Sequence, residues 1–290
     1  MDHLTTLPLI SKQIIMYCGM TIFIMGIIGG LLNIIIFTTL KTFRQTTCAF
    51  LLTITTIVNV ITLPTTPVVF TLLQGFQIGL KNVSWFCKFH MFTSQWMIII
   101  SLISLCLATI DQFLSMSSYR HWSNLRIAQR AILIAILFGF IHSIFVLIYF
   151  DVQNGICLIV NPIYAQYLSL FEFPVLFGCL PIAILIIFST ITYIRARNIA
   201  SRRMNIIRLQ RDRQLTAMVL VHAVYKIITA LPYTIVFVYT TNRIETNPES
   251  IVIDDLITTV TLMITFSSFS VSFENCHYYE SIVSFSIFLI

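Results

Sequence analysis

The chain has 290 residues, of which 58% are hydrophobic and 10% are charged, and its mean hydropathy is +0.92. A soluble domain carries about 25% charged residues, so this composition excludes a globule with a polar coat. The formal net charge of +6 does not indicate a nucleic-acid partner, because the arginines lie in loops that flank apolar segments, where orientation in a membrane accounts for them.

Seven long apolar segments follow one another along the chain, and a helix needs about 20 apolar residues to cross a bilayer. We therefore predict an all-α membrane protein, a seven-transmembrane helix bundle whose seventh helix is short or altered. No strand-like alternation or internal repeat stands out. We divide the chain into a short extracellular N-terminus (1–13), the seven-helix domain (14–273) and an atypical hydrophobic C-terminal segment (274–290). The predicted spans are residues 14–40, 48–73, 87–113, 128–150, 165–194, 215–240 and 252–273.

Basic residues are concentrated in alternate loops. Those after the first, third and fifth spans contain Lys41, Arg44, Arg120, Arg126, Arg130, Arg195, Arg197, Arg202, Arg203, Arg208, Arg211 and Arg213. The opposite side has only Lys12, Lys81, Lys88 and Arg243. The positive-inside rule predicts an extracellular N-terminus and a cytoplasmic 195–213 segment, as in a multi-pass plasma-membrane protein. That segment is either a topology signal that contacts anionic lipid or a docking surface for a cytoplasmic partner.

Two cysteines and one glycosylation sequon fall on the predicted outer side. Cys87 opens the third span and Cys157 follows the fourth, and both face an oxidising compartment in which a disulfide can persist. They are either paired, which would attach the second outer loop to the third span, or two free thiols. Asn82 begins an Asn-Val-Ser sequon close to the membrane and is a candidate for glycosylation.

Several short motifs occur in one order between residues 14 and 265. The motif residues are Asn33 after Gly-Gly-Leu-Leu, the run Asp111-Gln112-Phe113 at the end of the third span, and the prolines Pro181 and Pro232. In their joint order and spacing, together with the two cysteines, they resemble the rhodopsin-like (class A) G-protein-coupled receptors, of the invertebrate peptide-receptor kind.

The resemblance implies partners and a set of functional residues. It implies a Cys87–Cys157 disulfide, an extracellular ligand, a heterotrimeric G protein as cytoplasmic partner, a surrounding lipid bilayer and no cofactor. The two prolines would be hinges of an inner-half rearrangement or static kinks. The implied switch and coupling residues are Asp111, Gln112, Phe113, Asp212, Pro181, Lys226 and Pro232. The implied polar core of the bundle consists of Asn33, Asn59 and Ser101.

The chain departs from the family pattern at several of these positions. Gln112 stands in place of the family's arginine, and it can hydrogen-bond Asp111 or Asp212 but cannot form an ion pair. Asn59 stands in place of an acidic residue that helps to hold sodium in the family. An amide lacks that charge, which argues against a sodium site even with Ser101 in place.

The fourth and sixth spans depart from the family as well. Gly139 stands where the fourth helix usually has a tryptophan, and Lys226 and Ala230 replace two aromatic residues of the sixth. A lysine at a helix centre costs about 2.5–3.5 kcal/mol on insertion, so such residues usually face the bundle interior and mark a function. The ammonium of Lys226 either stands in for sodium beside the polar core or points at water in the lower half.

The ligand pocket of the family lies between the outer halves of spans three, five, six and seven. Ser94 stands where amine receptors carry an aspartate, which argues against a biogenic amine. Glu172, near the start of span five, either meets a basic ligand or faces the membrane interface. The mixture of polar and aromatic side chains at the candidate positions favours a peptide ligand. At each position, ordinary helix packing is the alternative. The candidate ligand-binding residues are Ser94, Gln95, Ile98, Phe173, Phe177, Tyr233, Thr234 and Phe237.

Three functions therefore compete. A G-protein-coupled receptor for a peptide comes first. A receptor-like protein that no longer couples comes second, because Gln112 is uncharged and the seventh helix lacks the family's Asn-Pro-x-x-Tyr motif. A transporter or channel comes third, because it would call for paired intramembrane charges or repeat symmetry. We expect no enzymatic activity and no metal, since no HExxH, GxSxG or phosphate-binding loop occurs.

Overall fold

The structure is a computed structural model that describes residues 2–39, 46–76, 83–117, 120–153, 156–199, 206–243 and 248–270. Within these ranges, seven helices are long and apolar enough to cross a membrane. This confirms the predicted seven-helix fold and makes the protein a multi-pass membrane protein. The sequon at Asn82 and the C-terminal segment 274–290 lie outside the described residues.

Most helices begin and end close to the predicted spans, with three departures. The first begins earlier, at Asp2, inside the segment assigned to the N-terminus; the sixth also begins earlier, at Ile206; and the seventh ends earlier, at Ser267. We number them α1 (Asp2–Thr39), α2 (Thr47–Gly75), α3 (Ser84–Ser115), α4 (Leu125–Tyr149), α5 (162–199), α6 (Ile206–Asn242) and α7 (Pro248–Ser267). Polar side chains cap several N-termini. Asn161, for example, accepts hydrogen bonds from the backbone N–H groups of Ile163 and Tyr164, which fixes the start of α5.

Two helices contain segments of π-helix, and two of the three segments contain a proline. In α2, π-helical turns cover Pro64–Val68 and Thr71–Gly75, and in α5 they cover Leu168–Cys179. Proline has no backbone N–H, so one hydrogen bond of the helix is missing. The wider π-helical turn lets neighbouring N–H and carbonyl groups form hydrogen bonds around that position. Pro181 lies just after the π-helical part of α5, whereas Pro232 lies inside the continuous helix α6. Their role as hinges stays a prediction.

A short hairpin joins α4 to α5 and was not predicted. Strands β1 (Phe150–Gln153) and β2 (Ile156–Ile159) pair antiparallel. Cys157 of β2 forms a disulfide with Cys87 of α3, with a Cα–Cα distance of 5.7 Å, which confirms the predicted pairing. We call this end of the bundle the disulfide end, and we call the opposite end, where α5 reaches Arg195, the arginine end.

Polar contacts attach the same hairpin to the first turn of α3. Asp151 accepts hydrogen bonds from the Ser84 hydroxyl (2.6 Å) and from the Val152 N–H (2.8 Å), and its carboxylate lies 3.4 Å from the Lys88 ammonium. The Ser84 hydrogen bond is the main reason why the pKa of Asp151 lies below its usual value, with smaller contributions from Val152 and Lys88. The hairpin is therefore held by one covalent bond and by an ionised side chain.

Apolar packing joins the helices in three buried clusters. The largest lies towards the arginine end and includes Leu51 of α2, Ala108 of α3 and Leu215 of α6. The outer face of α4 is apolar too, because Ile134, Ile141 and Ile148, at seven-residue intervals, are each more than 60% exposed. An apolar stripe of this kind is expected on a helix whose outer face contacts lipid.

One tryptophan takes part in the packing of α4 against α3 through both a hydrogen bond and its ring. The indole N–H of Trp96, on α3, donates a hydrogen bond to the backbone carbonyl of Ile136 on α4 (3.1 Å). The Trp96 ring lies against Gly139, where an added Cβ would come within 3.1 Å of the ring. Gly139 thus leaves room for an indole that comes from the neighbouring helix.

Candidate functional site

Three buried hydrogen bonds join α2 to α3 along the length of the bundle. The bonded pairs are Thr66–Ser94 (2.9 Å), Asn59–Ser101 (2.5 Å) and Thr55–Ser104 (2.8 Å). They follow one antiparallel register, so each polar side chain finds its partner at the same level of the neighbouring helix. Asn59 and Ser101, predicted for the polar core, are in direct contact, and Asn33 is buried in α1. Ser94, predicted to face a ligand, is engaged in this helix pair.

Four of the predicted ligand-binding residues form an aromatic cluster between α5 and α6 near the disulfide end. The ring centroid of Phe173 lies 4.2 Å from that of Phe237 and 5.7 Å from that of Phe177, and Tyr233 lies 6.0 Å from Phe237. Thr234 belongs to the same helix interface, since its methyl group faces Gly178 of α5. Five of the eight candidates therefore meet at one interface.

The other three candidates lie elsewhere, and one of them, Ser94, belongs to the α2–α3 pair described above. Ile98 packs against an apolar cluster that includes Leu63 of α2 and Phe266 of α7. Gln95 donates a hydrogen bond to Glu172, and its side-chain nitrogen also lies 3.5 Å from Nδ1 of His142. The predicted site is thus divided among several helix interfaces, and the α3–α5 part of it is polar.

Glu172 is the centre of that polar group. Its side chain is 0% exposed, so the structure supports neither a position at the membrane interface nor direct access from outside. Oε2 of Glu172 lies 3.9 Å from Nε2 of His142, and the same nitrogen lies 3.1 Å from the Tyr167 hydroxyl. His142 and Tyr167 were not among the residues predicted for the site. An ionisable residue within a membrane span is the signal that could have identified His142.

At the arginine end, Gln112 has a different partner from the two that were predicted. Its side-chain oxygen accepts a hydrogen bond from the Thr216 hydroxyl of α6 (3.0 Å). Asp111 instead accepts one from Ser123 (2.7 Å), in the segment between α3 and α4. Asp212 lies on α6, but its side chain is outside what the structure describes. The reason for the difference is geometric, since Thr216 faces α3 and Asp111 faces the following segment.

Phe113 completes the predicted Asp-Gln-Phe motif and contacts α5. Its ring lies 5.3 Å from that of Phe188 in an edge-to-face arrangement, and the Arg195 guanidinium lies 4.9 Å from the Phe113 ring centroid. Cations over aromatic faces are attracted to the ring quadrupole. The motif thus contacts three different elements: the segment after α3, α6 and α5.

Lys226 interacts with the end of α7. Its ammonium donates a hydrogen bond to the Ser268 hydroxyl (2.8 Å) and lies 4.4 Å from the centroid of the Phe269 ring. These contacts differ from the position beside Asn59 and Ser101 that the sequence left open. Because α7 ends at Ser267, the cation lies where the helix dipole is negative, and this contact compensates part of the cost of burying the charge.

Comparison with known proteins finds no family model and no curated protein that matches this sequence. The assignment of function therefore depends on the motifs and on the geometry described above.

Proposed function

We propose that the protein is a G-protein-coupled receptor of the plasma membrane, with an extracellular N-terminus and a peptide ligand. The observation that carries the proposal is the hairpin between α4 and α5, which the Cys87–Cys157 disulfide joins to α3 at one end of a seven-helix bundle. A hairpin held in this way fits a receptor because it gives a fixed shape to the end of the bundle that would receive the ligand.

The ligand site would lie between α3, α5 and α6 on the bundle side of that hairpin. The Phe173–Phe237 pair offers an apolar aromatic surface, and the half-buried Gln95, which donates a hydrogen bond to the enclosed Glu172, offers a polar group on the adjacent interface. A peptide suits this combination because it can present apolar and hydrogen-bonding side chains at the same time.

The signal would pass to the arginine end through relative movement of α3 and α6. The Gln112–Thr216 hydrogen bond joins these helices there. If it formed in the inactive conformation and broke in the active one, it would contribute to the equilibrium between the two. The basic residues predicted for the cytoplasmic side would then lie beside the G protein.

The test is guanine-nucleotide exchange on a panel of heterotrimeric G proteins, in membranes that contain the full chain, with a panel of synthetic peptides. We expect peptide-dependent exchange that the Cys157→Ser variant loses. Cys179→Ser is the matched control, because Cys179 is an exposed free cysteine of α5. Peptide-dependent exchange that survives in Cys157→Ser would contradict the role given to the hairpin. A chain that reaches the surface and gives no exchange with any peptide would contradict coupling.

The second candidate is a receptor-like protein that no longer couples. The observation that favours it is the Gln112–Thr216 contact, in which both side chains are neutral. An amide cannot form an ion pair with one partner in the inactive conformation and with another in the active one. This candidate predicts peptide binding without exchange, so a binding measurement on the same membranes separates it from the first.

A further inference from the structure

A cavity of about 390 Å³ lies between α4 and α5, apart from the α5–α6 aromatic cluster. It is close to the hairpin, because Tyr149 immediately precedes β1 and Asn161 follows β2 by two residues. Ile163, in its lining, is 76% exposed, so the cavity borders the outer surface of the bundle. Its volume is near the lower end of the range of about 300–1,000 Å³ for small-molecule pockets. It can therefore hold a small group and not a folded peptide.

Five aromatic rings surround this cavity and form an aromatic cage. His142, Phe145 and Tyr149 come from α4, and Tyr164 and Tyr167 come from α5. Neighbouring ring centroids lie 6.5 Å apart for Phe145–Tyr149, 4.9 Å for Tyr149–Tyr164, 6.0 Å for Tyr164–Tyr167 and 6.3 Å for Tyr167–His142. Aromatic faces carry partial negative charge, so a cage of this kind attracts a cation and offers little to an anion.

The group behind the cage is acidic. Glu172 is fully enclosed, and its Oε1 accepts the hydrogen bond from Gln95. Its Oε2 makes no hydrogen bond within the described part of the chain, and the same holds for the buried hydroxyl of Tyr164. No lysine or arginine is among the described residues that line the cavity. An ionised carboxylate enclosed in a membrane helix bundle, with no hydrogen bond to one oxygen, is costly unless a cation lies nearby. The imidazole of His142, whose Nε2 lies 3.9 Å from Oε2, supplies that charge only when it is protonated.

We propose that this cavity binds a quaternary ammonium group, with the aromatic cage around it and Glu172 as the countercharge. Such a group needs no hydrogen-bond partner, which fits a wall made mainly of aromatic side chains. His142 and Tyr167 separate Glu172 from the cavity, so the carboxyl group acts through its charge rather than by direct contact. The two sources of this chemistry are a small soluble choline-type cation and the headgroup of phosphatidylcholine. The proposal does not depend on coupling to G proteins.

The test uses the full chain in lipid nanodiscs made of phosphatidylethanolamine and phosphatidylglycerol, which contain no quaternary ammonium. Choline is titrated and its binding followed by saturation-transfer NMR. The comparison ligand is 3,3-dimethylbutan-1-ol, in which carbon replaces the charged nitrogen at nearly the same shape. We expect choline to bind at least about five-fold more tightly than this neutral alcohol. Equal affinities, or no binding of choline, would overturn the proposal.

A second arm of the experiment distinguishes the two sources. In phosphatidylcholine nanodiscs, lipid headgroups that enter the cage would compete with added choline, so its apparent affinity would fall. If choline binds equally in both kinds of nanodisc, a soluble cation is the occupant. Either result supports the site.

Variants locate the binding in the cage. Tyr149→Leu removes one ring face and should weaken choline binding at least about five-fold, whereas Tyr149→Phe keeps the face and the affinity. Glu172→Gln keeps an acceptor for Gln95, and it should weaken the binding of choline but not of the neutral alcohol. Phe138→Leu is the matched control. Phe138 is an exposed aromatic residue of α4, one turn before His142, and Phe138 does not line the cavity. If Tyr149→Leu fails to fold, Glu172→Gln decides, and unchanged choline affinity in that variant refutes the proposal.

Discussion

The hydroxyl of Thr216 donates a hydrogen bond to the side-chain oxygen of Gln112, and this contact joins α6 to α3 at the arginine end. Both residues are buried, at 3% exposure each. Gln112 stands where the rhodopsin-like receptors that the sequence resembles carry an arginine, and its contact with Thr216 is a hydrogen bond between two neutral side chains.

We expect Thr216→Val to lower the free energy of unfolding by about 1–3 kcal/mol, because it leaves the buried Gln112 oxygen without this donor. Reversible unfolding in mixed micelles measures the change. Thr192→Val is the matched control, since Thr192 is equally buried on α5 and its hydroxyl bonds within its own helix to Phe188. Equal losses in the two variants would show that the α3–α6 contact adds nothing of its own.

Restoring the family's arginine should have little effect on signalling. We expect nucleotide exchange by Gln112→Arg to stay within about two-fold of the unmodified chain, because an equilibrium shifts only through contacts that differ between its two states. Asp111 already bonds to Ser123, and Lys226 and Ala230 still replace the aromatic pair of α6. The assay uses membranes with matched surface expression. A gain in exchange well above two-fold in Gln112→Arg would show that an arginine at this position is sufficient by itself.

Lys226 and Ser268 should be energetically coupled. We expect Ser268→Ala to cost about 1–2 kcal/mol in the native background and little in the Lys226→Met background, since the ammonium is then absent. A double-mutant cycle on unfolding free energies measures this coupling. Ser267→Ala is the control, because Ser267 bonds to Tyr225 instead and should cost the same in both backgrounds. A coupling of zero for Ser268 would refute the account of Lys226.

The attachment of the hairpin should weaken in acid. Because the pKa of Asp151 is lower in the folded chain than in the unfolded chain, the unfolded state binds more protons as the pH falls. The stabilisation is fully present above the usual aspartate pKa of about 3.9 and is lost as the pH falls through the folded value.

Thermal unfolding of the native chain and of Asp151→Asn, between about pH 6 and about pH 2, tests this expectation. The difference between their midpoints should shrink towards the acidic end of the range. Lys88→Met should keep most of the pH dependence, because the Ser84 hydrogen bond is the leading cause of the shift. A midpoint difference that is constant with pH would contradict the assignment to Asp151.

The fold could be predicted from the sequence because hydrophobicity over about 20 residues is a strong signal. The Cys87–Cys157 pairing could be predicted too, from the family resemblance and the position of both cysteines on one side. The hairpin could not, since four-residue strands such as Phe150–Gln153 leave too short a pattern to distinguish from a loop.

The partners of individual polar residues were harder to predict. Gln112 was expected to bond Asp111 or Asp212, yet it bonds Thr216, because the rotation of α6 decides which side chain faces α3. Similarly, Glu172 could not be assigned to the interior until α4 was placed beside it with His142. Sequence spacing indicates which residues share a face of one helix, but it does not indicate which face of the neighbouring helix they meet.

Trp96 and Gly139 show what this means for comparisons between distant proteins. Judged position by position, the fourth helix has Gly139 where the receptors that the sequence resembles carry a tryptophan. Judged in space, an indole occupies the α3–α4 interface but is attached to the other helix. Gly139→Trp alone would therefore place two indoles in the space of one. A position-by-position comparison registers the glycine of α4 alone. A comparison of the packed interface would also register the indole that Trp96 places there from α3.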